Sequence, residues 1–159
     1  MQPADEILPG LWQGDVRAGK MAASGLGDFD VIVNLTGDST AFPSKEHNKT
    51  YINFHISDGA LPPLHLLDAL VEYISAVFIF KGEAEPRVLV HCTMGINRSG
   101  LVCALVARRL KGLSGIEAIR LIREKRRVVG DYMTGDGKWS AKDTALFNGV
   151  FVEYLEGLS

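Results

Sequence analysis

The middle of the chain contains a short apolar strand, a polar turn and an apolar helix, one directly after another. Val88-Leu89-Val90 has the composition of a buried strand, and residues 99–110 carry apolar side chains on nearly every side of a helix. A helix without a polar face has to lie inside the fold, packed against a sheet and other helices. The chain is therefore constrained to a layered α/β structure in which a central strand ends in the turn at residues 91–98.

Three further segments have the patterns of strands. Residues 29–35 contain an apolar run typical of a buried strand, and residues 51–56 alternate between apolar and polar side chains. Residues 7–12 are expected to form an edge strand, because Pro9 lacks the amide donor that a central strand needs. Together with residues 87–91, these segments predict a central mixed, twisted β-sheet of about four to five strands.

Three further helices are expected to flank this sheet. Residues 63–80 have an amphipathic pattern, and Ser114 with Glu117 forms a capping box that opens a helix to residue 126. Ser140 with Asp143 is expected to open the last helix. The apolar stripe of this last helix consists of Phe147, Val150, Phe151, Tyr154 and Leu158.

Composition narrows the class of protein. Of 159 residues, 47% are apolar and 23% charged, so residues 1–159 are expected to form a single domain with its own core. The formal net charge of −2 provides no whole-chain basic field for nucleic acid. Two cysteines are too few for a disulfide framework, and no Cys/His cluster has zinc spacing. Without a secretion-signal pattern or a membrane-length apolar run, we expect a cytoplasmic protein in a reducing compartment.

The turn with its flanking residues reads His91-Cys92-Thr93-Met94-Gly95-Ile96-Asn97-Arg98-Ser99-Gly100. Consecutive backbone amides at a strand-to-helix turn, together with the helix N-terminus, make a concave anion site. Gly95 lets the backbone approach an anion closely, and Arg98 can fold back to offer its planar fork to two phosphoryl oxygens. The same positive field favours the thiolate form of Cys92. The pattern therefore predicts a nucleophilic cysteine below a bound phosphoryl group.

This motif resembles the signature loop of the cysteine-based protein tyrosine phosphatase superfamily, which has a cysteine, five residues, an arginine and then serine or threonine. The order of elements is similar to that of the small dual-specificity branch, and residues 7–15 resemble its opening strand. The resemblance implies a protein tyrosine phosphatase-like fold, with the phosphate-binding loop between a central strand and a buried helix. It also implies hydrolysis of phosphomonoesters through a cysteinyl-phosphate, with no metal and no organic cofactor.

The resemblance assigns a role to each matching residue. Cys92 would be the nucleophile, and Arg98 would bind the phosphoryl group and stabilise charge in the transition state. Ser99 matches the hydroxyl that hydrogen-bonds the sulfur and helps it leave in the second step. His91 matches the residue that orients the loop and tunes the thiol. The backbone amides of the phosphate cradle would come from Thr93, Met94, Gly95, Ile96, Asn97 and Arg98.

The leaving oxygen needs a proton, so a general acid is also required. The family supplies an aspartate from a mobile loop that follows an earlier strand. Asp58 lies in such a loop beside Gly59, at a spacing before Cys92 close to the family's. Asp68 is the competing carboxylate, but it falls on the polar face of a predicted helix, where a solvated charge is expected. We therefore expect Asp58 to be the acid and then the base toward the hydrolytic water.

The residues leave several substrate classes open. The leading hypothesis is a phosphorylated protein carrying phosphotyrosine, with phosphoserine or phosphothreonine as further substrates. An RNA 5′-polyphosphate phosphatase is the alternative, because Asn97 resembles that group's loop, although Met94 replaces its histidine. Phosphoinositide phosphatases fit less well, because their loops carry lysines and Arg98 is the only cation here. The intact Cys92, Arg98 and Ser99 argue against a phospho-binding pseudophosphatase. None of these features predicts an oligomeric state.

Three features outside the motif have two interpretations each. Cys103 is either a small core residue or a thiol that protects oxidised Cys92 by forming a disulfide. Residues 130–142 form either a substrate lip or a plain connection. A basic stretch is either a solvated helix face or a surface that attracts acidic peptides, RNA or anionic lipid. That stretch consists of Arg108, Arg109, Lys111, Arg120, Arg123, Lys125, Arg126 and Arg127.

Overall fold

The computed structural model describes residues 2–38, 49–127, 131–133, 139–141 and 145–159. In this part of the chain, the main sheet has five strands: β1 Ala4–Leu8, β2 Leu11–Gly14, β3 Val31–Asn34, β4 Thr50–Asn53 and β5 Val88–His91. Their spatial order is β1-β2-β5-β3-β4. β1 runs antiparallel to β2, and all other neighbours in this sheet pair in parallel. The predicted mixed sheet with a central strand before the polar turn is confirmed.

The predicted edge strand at residues 7–12 is wrong, because this segment is a β-hairpin. Leu8 pairs with Leu11, and Pro9 and Gly10 form the turn between β1 and β2. The missing amide of Pro9 signals a turn here: proline suits the first central position, and Gly10, with a φ of +86°, suits the second. The edge strand is β1, whereas β2 lies inside the sheet beside β5.

Within the described residues, five helices cover the sheet in two unequal layers. They are α1 Val16–Ala23, α2 Leu64–Ile79, α3 Arg98–Lys111, α4 Gly115–Lys125 and α5 Gly149–Glu156. Val88 and Val90 of β5 face the large core formed with α2, α3, α4 and α5. Leu89, between them, faces the small core beneath α1. This alternation explains why the central strand is apolar at every position.

Three helices follow the sequence predictions, and one was missed. α2 and α4 begin and end within one residue of their predicted bounds, and residues 99–107 of α3 are buried without a break. The capping box of Ser114 and Glu117 is present. The missed helix is α1, which lies in a Gly-rich stretch. Its N-cap is Asp15, whose Oδ1 accepts hydrogen bonds from the amides of Arg17 and Ala18.

The last helix begins later than predicted. Asn148 caps α5, because its Oδ1 accepts from the amides of Val150 and Phe151. Ser140 instead lies in the short strand β7, Trp139–Ala141, which pairs antiparallel with β6, Asp131–Met133. Asp143 falls outside the described residues, as does much of residues 130–142. Strand pairing and the asparagine cap override the weaker cap signal at Ser140.

The central turn leaves the sheet where three strands end together. Gly14, the last residue of β2, and Asn34, the last residue of β3, both pair with His91 at the end of β5. The turn at residues 92–97 therefore opens at the carboxyl edge of the parallel strands, where α/β proteins bind ligands. Within the described residues, no helix has the length and apolar character needed to cross a bilayer.

Candidate active site

Cys92 is the first residue of the turn between β5 and α3, and only 2% of it is exposed. Its amide donates to the Gly14 carbonyl of the neighbouring strand at 3.3 Å. Its Sγ lies 3.3 Å from Oγ of Ser99, with which it forms a hydrogen bond. Ser99 is itself fully buried in the first turn of α3. The sulfur is therefore held at the N-terminal end of a helix, where the helix dipole favours a negative charge.

The backbone that follows Cys92 has a run of amides without partners among the described residues. No described acceptor takes a hydrogen bond from the amides of residues 93–97, and the side chains of Thr93 and Met94 are exposed. Gly95 has a φ of +67°, and a Cβ there would lie 2.7 Å from the Gly14 carbonyl carbon. Gly95 therefore has no room for a side chain. Such consecutive free amides are an anion-binding nest.

Arg98 folds back over the start of the turn from the first position of α3. Its Nη2 donates to Oγ1 of Thr93 at 3.1 Å, and its Nη1 donates to the Ile56 carbonyl at 3.3 Å. Ile56 is buried just after β4 and lies two residues before Asp58. One guanidinium therefore contacts both the cysteine turn and the segment that carries Asp58.

Of the two candidate acids, only Asp58 lies on a segment that reaches this turn. Asp58 and Gly59 form an exposed turn, and Gly59 has a φ of +98°. Asp68 lies on α2 and lines a separate groove, of about 550 Å³, together with Arg108. Arg108 is ten residues along α3 from Arg98, which corresponds to about 15 Å. The structure therefore separates Asp68 from the cysteine turn.

Asn97 holds the segment before α5 against the turn. Its Oδ1 accepts hydrogen bonds from the amides of Phe147 and Asn148, both at 2.8 Å. The amide of Leu146 donates to the Ile96 carbonyl at 3.1 Å. The side-chain oxygen of Asn97 is therefore engaged within the protein.

His91 lies beneath the turn, fully buried and covered by α1. Gly19 of α1 packs so closely on the imidazole that no side chain fits there. Neither ring nitrogen has a hydrogen-bond partner among the described residues. Burial lowers the pKa of His91 to about 4, so the ring is neutral at physiological pH.

Comparison with protein families identifies this arrangement. The model of the dual specificity phosphatase catalytic domain matches residues 11–134, which include both β2 and the cysteine turn. The chain belongs to this family. The predicted resemblance to the dual-specificity branch is thereby confirmed.

Curated relatives of this dual specificity phosphatase domain are distant and mostly longer. This chain is 29% identical over 117 residues to phosphatidylinositol 3,4,5-trisphosphate 3-phosphatase ptn1 of Schizosaccharomyces pombe. The match covers 72% of this chain and 32% of that protein. It is 28% identical over 129 residues to dual specificity protein phosphatase MPK-4 of Drosophila melanogaster, covering 79% of this chain and 32% of the relative. The domain thus spans about a third of the length of these relatives.

A solved structure supports the fold of the domain. Tk-PTP in its active form superposes with a TM-score of 0.66 and 22% sequence identity, covering 97% of this chain and 96% of that one. The predicted protein tyrosine phosphatase-like fold is therefore confirmed.

Two residues of the dual specificity phosphatase domain support the turn from below, and the sequence did not reveal them. Gln13 of β2 is fully buried, and its Nε2 donates to the Gly95 carbonyl at 3.1 Å and to Ser99 Oγ at 3.2 Å. It interrupts the apolar pattern of its strand. A polar residue at an inward-facing position of a strand was the sequence signal that could have predicted this supporting role.

Arg126 is the second supporting residue, and its burial corrects the interpretation of the basic stretch. It is fully buried, whereas Arg120, Arg123 and Arg127 are exposed. Its Nε donates to the Gly95 carbonyl at 3.0 Å, and its Nη1 lies 2.8 Å from Oδ2 of Asp5. Arg126 falls on the same helical face as the buried Ile119 and Ile122, and this spacing was the signal for its burial.

Cys103 packs deep in the large core on α3. It is fully buried, and this burial raises the pKa of its thiol. A neutral thiol without solvent access is a poor nucleophile. The described geometry therefore favours the core interpretation of Cys103, and no disulfide joins it to Cys92.

Proposed function

We propose that this domain hydrolyses phosphomonoesters through a cysteinyl-phosphate on Cys92. The observation that carries the proposal is the buried Cys92 sulfur, the run of free amides that follows it and Arg98 folded back to Thr93. A tetrahedral dianion matches this arrangement in both charge and shape. The curated relatives that are named as phosphatases support the same reaction.

In the first step, the Cys92 thiolate attacks phosphorus and forms the S–P bond as the P–O bond to the leaving group breaks. The amides of residues 93–97 and the guanidinium of Arg98 stabilise charge on the equatorial oxygens. Asp58 gives its proton to the leaving oxygen. Its position two residues beyond Ile56, the acceptor of Arg98 Nη1, supports this role.

In the second step, water attacks the cysteinyl-phosphate. Asp58, now a carboxylate, takes a proton from this water as the new P–O bond forms. The S–P bond breaks, and the electron pair returns to the Cys92 sulfur, which the Ser99 hydroxyl stabilises from 3.3 Å. Neutral His91 packs under the turn and maintains its position without adding a charge. Phosphate then leaves, and the thiolate is restored.

The proposed substrate is a phosphorylated protein, with phosphotyrosine preferred and phosphoserine or phosphothreonine also accepted. The name of the Drosophila relative, a dual specificity protein phosphatase, supports this class. A phosphoinositide is the second candidate, because the fission yeast relative is named for a phosphoinositide. The cysteine turn of this chain has Arg98 as its only cation, which favours the protein substrate. Asn97 does not favour RNA, because its side-chain oxygen accepts from the backbone amides of Phe147 and Asn148.

The domain is proposed to be one unit over residues 1–159 and to act in the cytoplasm. α5 contributes Phe151 and Leu155 to the large core, which ties the C-terminal helix to the sheet. A reactive thiolate requires a reducing compartment, because oxidation would remove the nucleophile.

The test compares phosphate release from four substrates: a phosphotyrosine peptide, a phosphothreonine peptide, phosphatidylinositol trisphosphate in vesicles and 5′-triphosphorylated RNA. The wild type should act fastest on the phosphotyrosine peptide. Cys92→Ser should release no phosphate while it still binds inorganic phosphate, because the amides and Arg98 are retained. Faster release from the lipid or the RNA would reassign the substrate, and undiminished release by Cys92→Ser would exclude the covalent mechanism.

A further inference from the structure

Gln13 is the only described side chain that contacts both the carbonyls of the cysteine turn and the hydroxyl of Ser99. Its Nε2 lies 3.1 Å from the Gly95 carbonyl, 3.4 Å from the Ile96 carbonyl and 3.2 Å from Ser99 Oγ. The residue is fully buried on β2. Gly100 of α3 leaves the space that the carboxamide fills, since a Cβ there would lie 3.3 Å from Nε2.

The two carbonyls determine which way the carboxamide of Gln13 points. Oxygen and nitrogen of a glutamine amide are assigned from their partners, and carbonyl oxygens only accept hydrogen bonds. The opposite orientation would bring the Gln13 oxygen against the carbonyl oxygens of Gly95 and Ile96. The NH₂ group therefore faces the turn, and it also faces Ser99.

This orientation decides where the Ser99 hydroxyl can send its proton. An NH₂ group only donates, so it occupies a lone pair of Ser99 Oγ and cannot receive the hydroxyl hydrogen. The Cys92 sulfur, at 3.3 Å, is the other described partner of Oγ. A thiolate sulfur, or one that is becoming a thiolate, can accept a hydrogen bond. The Ser99 hydroxyl therefore donates its hydrogen to the Cys92 sulfur.

We propose that Gln13 is a positioning residue that directs the Ser99 hydroxyl toward the Cys92 sulfur during breakdown of the cysteinyl-phosphate. This inference rests on the proposed function. In that step the S–P bond breaks and its electron pair goes to sulfur, while water supplies the oxygen of the new P–O bond and gives its proton to Asp58. Gln13 is fully buried and acts through Ser99 rather than on the reacting atoms. It acts by keeping the Ser99 proton on the side of the leaving sulfur.

Steady-state and rapid-quench kinetics of Gln13→Met with p-nitrophenyl phosphate test this role. Methionine keeps the length of the side chain and removes the donor. We expect kcat to fall about tenfold, comparable to the loss of one hydrogen bond in the transition state. kcat/KM reports the steps up to formation of the phosphoenzyme, so it should stay within about twofold of wild type. Acid-quenched samples should contain more phosphocysteine than wild type, as detected by intact mass.

Two further variants show whether Gln13 acts through Ser99. In a Ser99→Ala background, Gln13→Met should cause no further loss of kcat, because the hydroxyl it directs is already gone. Gln13→Glu keeps the shape and offers acceptors in place of donors, so it should draw the Ser99 proton away from sulfur and lower kcat more than Gln13→Met. Ile74→Val, a methyl deletion in the core on α2, controls for lost stability and should keep the wild-type kcat.

The outcomes separate this inference from the reaction itself. Wild-type protein that forms no phosphocysteine with any phosphomonoester would overturn the proposed function and the role of Gln13 with it. Wild-type turnover combined with an unchanged kcat in Gln13→Met or Gln13→Glu would overturn only the role of Gln13. Equal losses in kcat and kcat/KM, additive with Ser99→Ala, would show that Gln13 merely supports the turn.

Discussion

Two arginines contact the same turn from opposite sides, and their surroundings differ. Arg98 lies over the outer face, partly exposed, and donates to Thr93 Oγ1 and the Ile56 carbonyl. Arg126 lies under the inner face, fully buried, and donates to the Gly95 carbonyl and to Asp5. The outer arginine retains donors that an anion can use. The inner one has its Nε and Nη1 bound to protein acceptors in the interior.

This difference in burial assigns anion binding to Arg98 and structural support of the turn to Arg126. A guanidinium with solvent access can exchange a protein acceptor for a phosphoryl oxygen with little change in structure. A buried guanidinium with a carboxylate partner cannot leave its site without exposing an unpaired charge to the interior. Substitutions on the outer face should therefore change catalysis, and substitutions on the inner face should change stability.

The largest expected effect is on the outer face. Arg98→Met should lower kcat/KM by about 10³-fold, because the transition state loses a two-pronged donor to its equatorial oxygens. Thermal unfolding should change little, since Arg98 is only partly buried. Arg109→Met, which removes an exposed cation from the same helix, is the control and should keep the wild-type kcat/KM. A normal kcat/KM in Arg98→Met would remove the distinction between the two arginines.

The inner arginine should show the opposite profile. Arg126→Met should lower the free energy of unfolding by about 3 kcal/mol, because the Gly95 carbonyl loses one of its two donors and Asp5 loses its partner. Urea denaturation measures this loss. Arg127→Met, which changes the exposed neighbour, should unfold like the wild type. If both variants unfold alike, the buried pair does not stabilise the turn.

Replacing the proposed acid, Asp58, should have an effect that depends on the leaving group of the substrate. Asp58→Asn should lower kcat/KM by about 10²-fold on a phosphotyrosine peptide, since the phenolic oxygen then leaves without a proton. The decrease in kcat/KM should be smaller for substrates with a more acidic leaving group. Asp68→Asn is the matched control on α2. The assignment of the acid fails if Asp68→Asn shows the larger loss.

The smallest expected effect is a pH dependence of stability that arises on the inner face. The lowered pKa of His91, about 4 against 6.5, means that the unfolded chain binds more protons between these values. Stability therefore falls as pH falls through this window, by about 1 kcal/mol between pH 7 and pH 5.5. Urea denaturation of wild type and His91→Gln at both pH values measures it. An equal pH dependence in the two proteins would mean that His91 titrates normally.

The sequence predicted the parts of the site that are contiguous in the chain. Val88-Leu89-Val90, the turn and the apolar α3 follow one another, so their order alone places the Cys92 sulfur at a strand-to-helix junction. Asp58 was predicted from its position after β4. Its relation to the turn depends on the contact between Arg98 and the Ile56 carbonyl, which only the folded chain contains.

The residues that were misjudged are those whose partners are distant in sequence. The side chain of Gln13 meets Ser99 across 86 positions, and Arg126 meets Asp5 across 121. The local sequence pattern placed Arg126 and Arg127 in the same basic stretch, although Arg126 is buried and Arg127 is exposed. Ser140 carried a local cap signal, but pairing between β6 and β7 determined its structure.

The sequence by itself determined the cysteine turn, its place between a buried strand and a buried helix, and the family, because these features depend on spacing along the chain and on apolar periodicity. The tertiary structure decided which polar groups support the turn: Gln13 beneath Ser99, Arg126 beneath Gly95, and Asn97 against the segment before α5. The physical reason is that a buried donor must find an acceptor wherever the folded chain brings one. Composition and periodicity do not encode that pairing.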